Sequence, residues 1–504
     1  MRCIAPRRGI GRIIPQDNVN DASAPAWQGA VDAPPRSRIF SWLERRKAAR
    51  NRLRLAKRLP ASRVRRIFDE CARGVGGEAS ARSRVATLTG IYCAQDDDGK
   101  RAYLELLAEV GDGDVAVTKP LVDEFVRASG AARQLCALRL RGALAGRMLA
   151  GLRQFNLQDD GVKFLVDLRA DAIRLASGSI ELRVVDEALL SLFRDWFAPG
   201  NLELRRITWQ SPASLLERLM AYEAVHEIRS WSDLRHRLES DRRCYAFFHP
   251  RMPDEPLVFV EVALMSRVAG SIAPLLDESQ PAIDPRAADA AVFYSISSTQ
   301  RGLRGVAFGG FLIKRVVEKL LVEFPKLTTF ATLSPVPRFR QWLAERLVRE
   351  GSALISRRSR AAFAKIARNE GAESALRRAV AGDMPSEHAT REALECVVVP
   401  LCARYLIVEK RNGLPIDPVA RFHFGNGARL ERIDWLANTS ARGLQESLGI
   451  MVNYVYEPSE IEENHEAYFR EGRVAASSRV RRSLRRGANG AGRDGNSNPE
   501  EVST

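Results

Sequence analysis

Apolar residues recur every three or four positions from Ile39 to about Phe197, the period that places them on one face of an α-helix. Clear examples are Leu104, Leu107 and Val110, and then Leu165, Leu168, Ala172 and Leu175. Strand-like runs are sparse in this part of the chain, so residues 38–200 are predicted to form an all-helical domain. It shows no cluster of polar residues suited to chemistry, and its predicted role is therefore packing or oligomerisation.

The pattern changes near residue 202 to short apolar runs that are typical of β-strands. These runs are residues 244–248, 257–264, 290–297 and 328–333, and a helix is predicted over 311–323. A strand, a glycine-rich loop, a helix and a second strand in this order predict a βαβ-type unit, and ligands tend to bind at the carboxyl ends of such strands. The predicted fold class is therefore α+β, with an α/β catalytic domain over residues 201–460 after the helical domain.

Three further segments complete the pattern. Residues 345–395 are rich in Arg and Ala and predict a helical insertion in the catalytic domain. Residues 398–409 and 419–436 are predicted to be strands, with Gly425-Asn426-Gly427 as a turn in the second. The two basic ends, residues 1–37 and 473–504, sustain no apolar period and are predicted to be disordered.

Composition narrows the class of protein. The 504 residues carry a net charge of +16, and this charge lies at the ends. Residues 1–66 hold 17 Arg and Lys against 4 Asp and Glu, and residues 473–504 hold 7 against 3, so the body between them is almost neutral. Cysteine and histidine spacings fit no metal site, and no apolar run approaches the roughly 18 residues that span a membrane. Neither a metal nor a membrane is expected, and nucleic acid is not expected as the main partner.

The loop from Gln300 to Gly310 is a candidate phosphate-binding element. Glycines at 302, 305, 309 and 310 let backbone N–H groups approach a ligand, and the start of the next helix attracts anions. A pyrophosphate fits this environment, and Arg304, Lys314 and Arg315 add positive charge. The alternative is a glycine-rich turn that only reverses the chain, because the loop matches neither a Walker A motif nor a dinucleotide fingerprint.

Two side chains outside the loop are candidates for catalysis. Ser334 follows the strand over 328–333, where sites in α/β folds are usually built. No nucleophile elbow surrounds it, and a turn serine before Pro335 is the alternative interpretation. His423 alternates with Phe422 and Phe424 in a predicted strand, so its ring would face away from both phenylalanines. A structural histidine is the alternative there.

Taken together, four parts of the chain resemble the malonyl-CoA decarboxylase family. They are residues 222–228; residues 241–263; residues 293–300 with 311–317 and the Leu-Ser-Pro-Val-Pro stretch at 333–337; and residues 418–428, with Phe-His-Phe-Gly-Asn-Gly at 422–427, continuing to Asn453-Tyr454. The similarity extends over about residues 60–458 and is weaker in the helical part. It implies a catalytic domain with the fold of the GNAT acetyltransferases. It also implies a carboxy-lyase of fatty acid metabolism that converts malonyl-CoA to acetyl-CoA and CO2.

The resemblance also implies roles for particular residues. Ser334 and His423 match the catalytic pair, and Tyr456 matches a supporting tyrosine. The residues that match the malonyl-CoA-binding part are Arg304, Gly305, Val306, Ala307, Phe308, Gly309, Gly310 and Ile313, together with Ser334 and His423. This chain departs from the family pattern at Arg338, where many members have glycine, and at Gly310, which replaces a larger residue. A homo-tetramer is implied, and no cofactor beyond the CoA of the substrate is expected.

The expected chemistry passes through the enolate of the thioester, with Ser334 handling the malonyl carboxylate. His423, with a pKa near working pH, is expected to donate the proton to carbon. Three alternatives stay open: an acyl-CoA acyltransferase, a polyanion-binding protein that uses the basic ends, and a catalytically silent family member. A bacterial cytoplasm is the expected location, because Asp17 and Asp21 weaken a mitochondrial presequence interpretation of the N-terminus.

Overall fold

The computed structural model of the chain describes residues 59–111, 115–306, 309–367 and 370–488. The predictions made for residues 1–37, for residues 38–58 of the helical domain, for Ala307 and Phe308, and for residues 489–504 lie outside this range. The helical part comprises α1 (Ala61–Ala72), α2 (Glu78–Cys93), α3 (Asp97–Val110), α4 (Val115–Arg127), α5 (Gly130–Arg153), α6 (Gly161–Leu175) and α7 (Ile180–Trp196). The predicted helical character of this part is confirmed.

The apolar face of α6 shows how the sequence pattern becomes a packed core. Leu165, Leu168, Ala172 and Leu175 are all buried, as the helical spacing predicts. They belong to one apolar cluster that continues from the helical part into the β-sheet of the second part. The two parts of the chain therefore share a core, which fixes the helices against the sheet.

The second part is built on a mixed sheet. Its strands are β1 (Glu203–Ile207), β2 (Arg242–Phe248), β3 (Val258–Met265), β4 (Ala290–Ser298), β5 (Thr329–Thr332), β6 (Ser334–Pro335), β9 (Arg429–Asp434) and β10 (Met451–Val455). The strand order is β1-β2-β3-β4-β5-β10-β6, and β9 pairs with β10. Neighbouring strands are antiparallel except β4 and β5, which are parallel. A short hairpin of β7 (Lys410–Arg411) and β8 (Leu414–Pro415) lies outside this sheet.

Helices cover the sheet and fill the connections. They are α8 (Ala213–Tyr222), α9 (Trp231–His236), α10 (Ala273–Leu276), α11 (Gly309–Glu323), α12 (Phe339–Glu350), α13 (Arg357–Ile366), α14 (Ala372–Ala381), α15 (His388–Ile407), α16 (Pro418–Gly425), α17 (Ala441–Ser447), α18 (Ile461–Glu471) and α19 (Ser478–Gly487). The sequence β4, α11, β5 is the predicted βαβ unit, and the α+β fold class is confirmed. Within the described ranges, no helix is both long and apolar enough to cross a membrane.

Two predicted strands are wrong. Residues 398–409 fall largely in α15, whose apolar residues are buried almost all round, and a continuous apolar run does not distinguish a buried helix from a buried strand. Residues 418–425 form α16, and only Arg429–Asp434 of the second predicted strand is β9. Asp417 and Pro418 explain the helix: the Asp417 carboxylate accepts a hydrogen bond from the Ala420 N–H, and proline suits the first helical position.

The predicted disorder after residue 473 is wrong for the residues up to 488. Ser477 caps α19 through the Val480 N–H, and its hydroxyl donates to the Glu431 carbonyl at 2.7 Å. The Leu430 N–H donates to the Ala475 carbonyl, and the Ser477 N–H donates to the Leu430 carbonyl. These two backbone hydrogen bonds attach the segment to β9. Val474 and Val480 are buried, and Leu484 packs against the same core, so several apolar contacts and a capped helix hold a segment whose composition is otherwise polar.

Candidate active site

A cleft of about 780 Å³ opens where the carboxyl ends of β4 and β5 meet α16. Its wall includes Ser295 and Ser297 of β4, Ser334 after β5, and His423 of α16. The helical part contributes as well, because Asp171 and neighbouring residues of α6 line the same cleft. The cleft therefore lies at the carboxyl ends of the strands of the βαβ unit, where the sequence predicts a ligand site.

The sheet fixes the position of Ser334. Strand β10 lies between β5 and β6, and its register pairs Val455 with Ala331 and Val452 with Ser334. The Ser334 side chain is buried, and its hydroxyl donates to the Thr332 hydroxyl at 2.8 Å. The Thr332 oxygen also accepts the backbone N–H of Tyr454 at 3.2 Å. Ser334 is thus part of an ordered polar network, which the interpretation as a simple turn serine does not predict.

His423 reaches Ser334 from the other side of the cleft. Its Nε2 lies 3.0 Å from Ser334 Oγ, although the residues are 89 positions apart in the chain. Because His423 is on a helix, it shares a buried face with Val419 and Ala420, and the predicted alternation with its neighbouring phenylalanines does not occur. The ring stacks on Tyr454 with centroids 4.3 Å apart and an angle of 22° between the planes.

Tyr456 completes a chain of hydrogen bonds. Its hydroxyl lies 2.7 Å from His423 Nδ1, and its backbone N–H donates to the Phe330 carbonyl, which extends the alignment of β10 along β5. With Ser334 donating to Thr332, the tautomer that satisfies both ring nitrogens of His423 carries its proton on Nε2. Nδ1 then accepts from the Tyr456 hydroxyl. Burial lowers the pKa of His423 to about 3, so the imidazole is neutral, in contrast to the expected value near working pH.

The residues predicted to hold the thioester lie in different places. Arg304 is exposed and lines the cleft, whereas Val306 and Ile313 are buried in the apolar core. Gly305 turns the chain with a φ of 86°, and Gly309 and Gly310 begin α11. Two of the three cations predicted to add charge there already have carboxylate partners: Lys314 pairs with Glu462 at 2.7 Å and Arg315 with Glu318 at 3.3 Å.

Arg169 of α6 supports this loop from the helical part. Its guanidinium donates to the carbonyls of Gly302 and Arg304, each at 2.7 Å, and pairs with Asp186 at 2.8 Å. A side chain on Gly302 would collide with the Val166 carbonyl, since a Cβ atom at this position would lie 1.8 Å from that oxygen. The sequence interpretation missed Arg169, but a signal existed: an arginine four residues after Leu165 lies on the apolar face of the predicted helix.

Glu223 holds the β4 wall of the cleft. Its carboxylate accepts the hydroxyl of Ser295 at 2.8 Å and that of Ser297 at 3.1 Å, as well as the backbone N–H groups of Val225 and His226. These bonds connect the segment after α8 to β4. The cleft thus has a fixed polar wall along β4, the strand next to β5.

The charge of the cleft suits an anion. Five arginines line it, namely Arg174, Arg301, Arg304, Arg338 and Arg442, against the two acids Asp171 and Glu446. Arg174 pairs with Asp171 and Arg442 with Glu446. Within the described ranges, the other three guanidinium groups have no carboxylate in ion-pair distance. No three His, Cys, Asp or Glu side chains of those ranges are grouped as metal ligands would be.

A buried serine–histidine–tyrosine network at the floor of a cationic cleft is the arrangement of an enzyme that acts on an anionic substrate. Comparison with known proteins specifies the family. The model of the malonyl-CoA decarboxylase C-terminal domain matches residues 200–493, and that of the N-terminal domain matches residues 116–197. The chain belongs to the malonyl-CoA decarboxylase family.

Individual relatives and solved structures support the same family. The rat protein "Malonyl-CoA decarboxylase, mitochondrial" is 38% identical over 354 residues, which cover 68% of this chain and 72% of the rat protein. The crystal structure of malonyl-CoA decarboxylase from Rhodopseudomonas palustris is 41% identical, with a TM-score of 0.73 and coverage of 84% of this chain and 99% of that chain. For the enzyme from Agrobacterium vitis the identity is 37% and the TM-score 0.74, with the same coverage.

Proposed function

We propose that this chain decarboxylates malonyl-CoA to acetyl-CoA and CO2 through the enolate of the thioester. The single observation that carries the proposal is the 3.0 Å contact between Ser334 Oγ and His423 Nε2 on the floor of the cationic cleft. The membership of the family supports the substrate and the reaction class. The reaction consumes one proton, because a carboxylate leaves as neutral CO2 and a C–H bond replaces the C–C bond.

The neutral His423 needs a source for that proton. When the malonyl carboxylate binds beside the ring, its negative charge favours the imidazolium and raises the pKa of His423 from its low value. The site then takes up one proton from solvent on binding substrate. Ser334 turns its hydroxyl from Thr332 to the carboxylate and orients the C–C bond that breaks. After CO2 leaves, the imidazolium donates its Nε2 proton to the enolate carbon and returns to the neutral form.

Tyr456 can serve both protonation states of His423 in this scheme. Its hydroxyl donates to Nδ1 of the neutral ring and accepts from the Nδ1–H of the imidazolium, without a change in the 2.7 Å contact. Tyr456 is buried, and burial raises the pKa of its hydroxyl well above the usual value, so it remains protonated. It therefore acts as a positioning residue for His423.

The CoA part of the substrate is proposed to lie along residues 304–310, with the start of α11 facing the diphosphate. Arg304 lines the cleft and supplies charge, while buried Val306 and Ile313 hold the loop and helix in place. Arg169 fixes the carbonyls of Gly302 and Arg304, so the helical part contributes to the binding geometry. No cofactor is part of the proposal, because the thioester carbonyl accepts the electrons of the broken bond. Activity should therefore survive dialysis against a chelator.

The test is to incubate the protein with malonyl-CoA alone and to measure CO2 release. A decarboxylase releases CO2 and forms acetyl-CoA without an acceptor, whereas an acyltransferase of the same fold requires an acceptor amine. Ser334→Ala should lose most of the activity. Ser447→Ala is a matched control, because Ser447 is equally buried and hydrogen-bonded but lies outside the cleft wall. No CO2 from the wild type, or equal rates for both variants, would refute the proposal.

A homo-tetramer in a bacterial cytoplasm is the proposed state of the protein. The bacterial crystal structures align with 84% of this chain, which supports a bacterial setting. The curated relatives are mitochondrial proteins, and that compartment is the alternative. Light scattering after size-exclusion chromatography measures the assembly directly: a mass of four chains is expected, and a monomer would exclude the tetramer.

A further inference from the structure

Helices α13 and α19 carry a concentration of positive charge away from the active site. The nine cations are Arg357, Arg358, Arg360 and Lys365 on α13, and Arg479, Arg481, Arg482, Arg485 and Arg486 on α19. Neither helix contains an Asp or Glu. The helices are fixed against each other, because the Ser356 hydroxyl at the start of α13 donates to the Arg486 carbonyl at 2.6 Å. Like charges are thus held together by the fold.

On neighbouring helices, by contrast, arginines form ion pairs with carboxylates. On α14, Arg377 pairs with Glu373 at 2.8 Å and Arg378 with Asp383 at 2.7 Å. On α12, Arg346 pairs with Glu350 at 2.9 Å. Within the described ranges, none of the nine cations on α13 and α19 has a carboxylate in ion-pair distance. The high arginine content of the chain does not explain this difference, since the arginines named on α12 and α14 are paired.

A cleft of about 1170 Å³ lies between these helices and α15, and we call it the basic cleft. Its charged wall contains Arg358, Lys365, Arg479, Arg482, Arg485 and Arg486, with Glu395 as the single acid among the described lining residues. Its floor is apolar and includes Val399, Pro400, Ile433 and Val480. The basic cleft therefore offers an apolar surface that is enclosed by several cations.

We propose that the basic cleft binds a nucleoside polyphosphate. The arginines and Lys365 match a chain of phosphates, since guanidinium groups bind phosphate oxygens in pairs. The apolar floor matches the flat base of a nucleotide, which inorganic phosphate lacks. The volume of about 1170 Å³ is slightly above the range of about 300–1,000 Å³ that is usual for small-molecule pockets, so the cleft has room for a nucleotide. A bound polyanion would also remove the repulsion between the two helices.

This proposal goes beyond the decarboxylation and does not depend on it. The basic cleft shares no lining residue with the catalytic cleft. The nucleotide that fills it is either a free nucleoside triphosphate or the adenosine phosphate part of CoA, because both combine a base with several phosphates. Binding of ATP and of CoA to the same variants distinguishes these two sources.

The experiment is calorimetric titration of the full chain with ATP at low salt. The test variant Arg358→Gln/Arg482→Gln removes one cation of the basic cleft from each helix. The control variant Arg357→Gln/Arg481→Gln removes the neighbouring cations, which have the same charge on the same helices but lie outside the cleft wall. Thermal unfolding and decarboxylation rates confirm that both variants are folded.

Wild type and the control variant should bind ATP with similar affinity, and the test variant at least about tenfold more weakly. Affinity should fall as salt rises, because the contacts are ionic. Tighter binding of CoA than of ATP, with the same loss in the test variant, would assign the cleft to CoA. Absence of ATP binding, or equal losses in both variants, would overturn the proposal. So would stronger binding of duplex DNA than of ATP, which would indicate a nucleic-acid surface.

Discussion

Replacement of Tyr456 by phenylalanine tests whether His423 changes its protonation state during turnover. The substitution removes one oxygen atom, which lies 2.7 Å from His423 Nδ1, and leaves the buried ring in place. If His423 becomes an imidazolium, the variant leaves a charged, buried N–H without an acceptor. An unmade hydrogen bond to a charged group costs about 1.5–3 kcal/mol, which corresponds to a loss in kcat of about 10- to 100-fold.

The effect should be confined to kcat. Tyr456 does not line the cleft, so KM for malonyl-CoA should stay within about threefold of the wild-type value. Tyr454→Phe is the matched control, because Tyr454 is also buried beside His423 but its hydroxyl has no hydrogen-bond partner among the described residues. That variant should retain most of the activity.

Steady-state CO2 release by the two variants, with their thermal unfolding, decides the question. A kcat of Tyr456→Phe within twofold of wild type would refute the role of the Nδ1 contact. Equal losses in the two variants would point to damaged packing around the ring instead of a lost hydrogen bond.

Three further variants probe the loop, the helix and the cleft. Gly302→Ala should destabilise the fold by about 1–3 kcal/mol and raise KM, because its Cβ meets the Val166 carbonyl; an unchanged melting temperature would contradict this. Burial raises the pKa of Asp417 from 3.8 to about 6, so the stability that its protonated form provides at low pH is lost as pH rises through about 6. Asp417→Asn should lack this loss, and unfolding free energies of both proteins that run parallel between pH 4 and 7 would exclude the effect. Arg338→Gly should raise KM for malonyl-CoA about two- to fivefold with little change in kcat, since Arg338 lines the cleft without a carboxylate partner; an equal KM would show that it does not contact substrate.

The sequence predicts the βαβ unit well because its signals are local. Alternating apolar runs, a glycine-rich loop and an amphipathic helix each specify their own conformation, and the parallel pairing of β4 with β5 follows from their order. The place of Ser334 at the end of β5 follows in the same way. Periodicity fails where an element is buried on all sides, as in α15, because the apolar run then carries no period.

The helix that carries His423 was missed for a different reason. Asp417 and Pro418 are a helix start signal, but the run after them is short and aromatic, which favours a strand in isolation. The contact with Ser334 could not be derived from local pattern, because it depends on how α16 packs against β10. The resemblance to the family indicates that Ser334 and His423 act as a pair. The structure adds the distance between them, and the burial that keeps the His423 ring neutral.

Single-turnover decarboxylation by His423→Ala tests the central claim most directly. CO2 release is expected to slow by about 10²- to 10⁴-fold, the usual contribution of a general acid, because the Ser334 and Tyr456 hydroxyls are much weaker acids than an imidazolium. Affinity for CoA should remain within about threefold, since the nucleotide end is proposed to bind at the loop that begins with Arg304 and not at His423. A variant that binds CoA normally and releases CO2 at a near-normal rate would contradict the proposed role of His423.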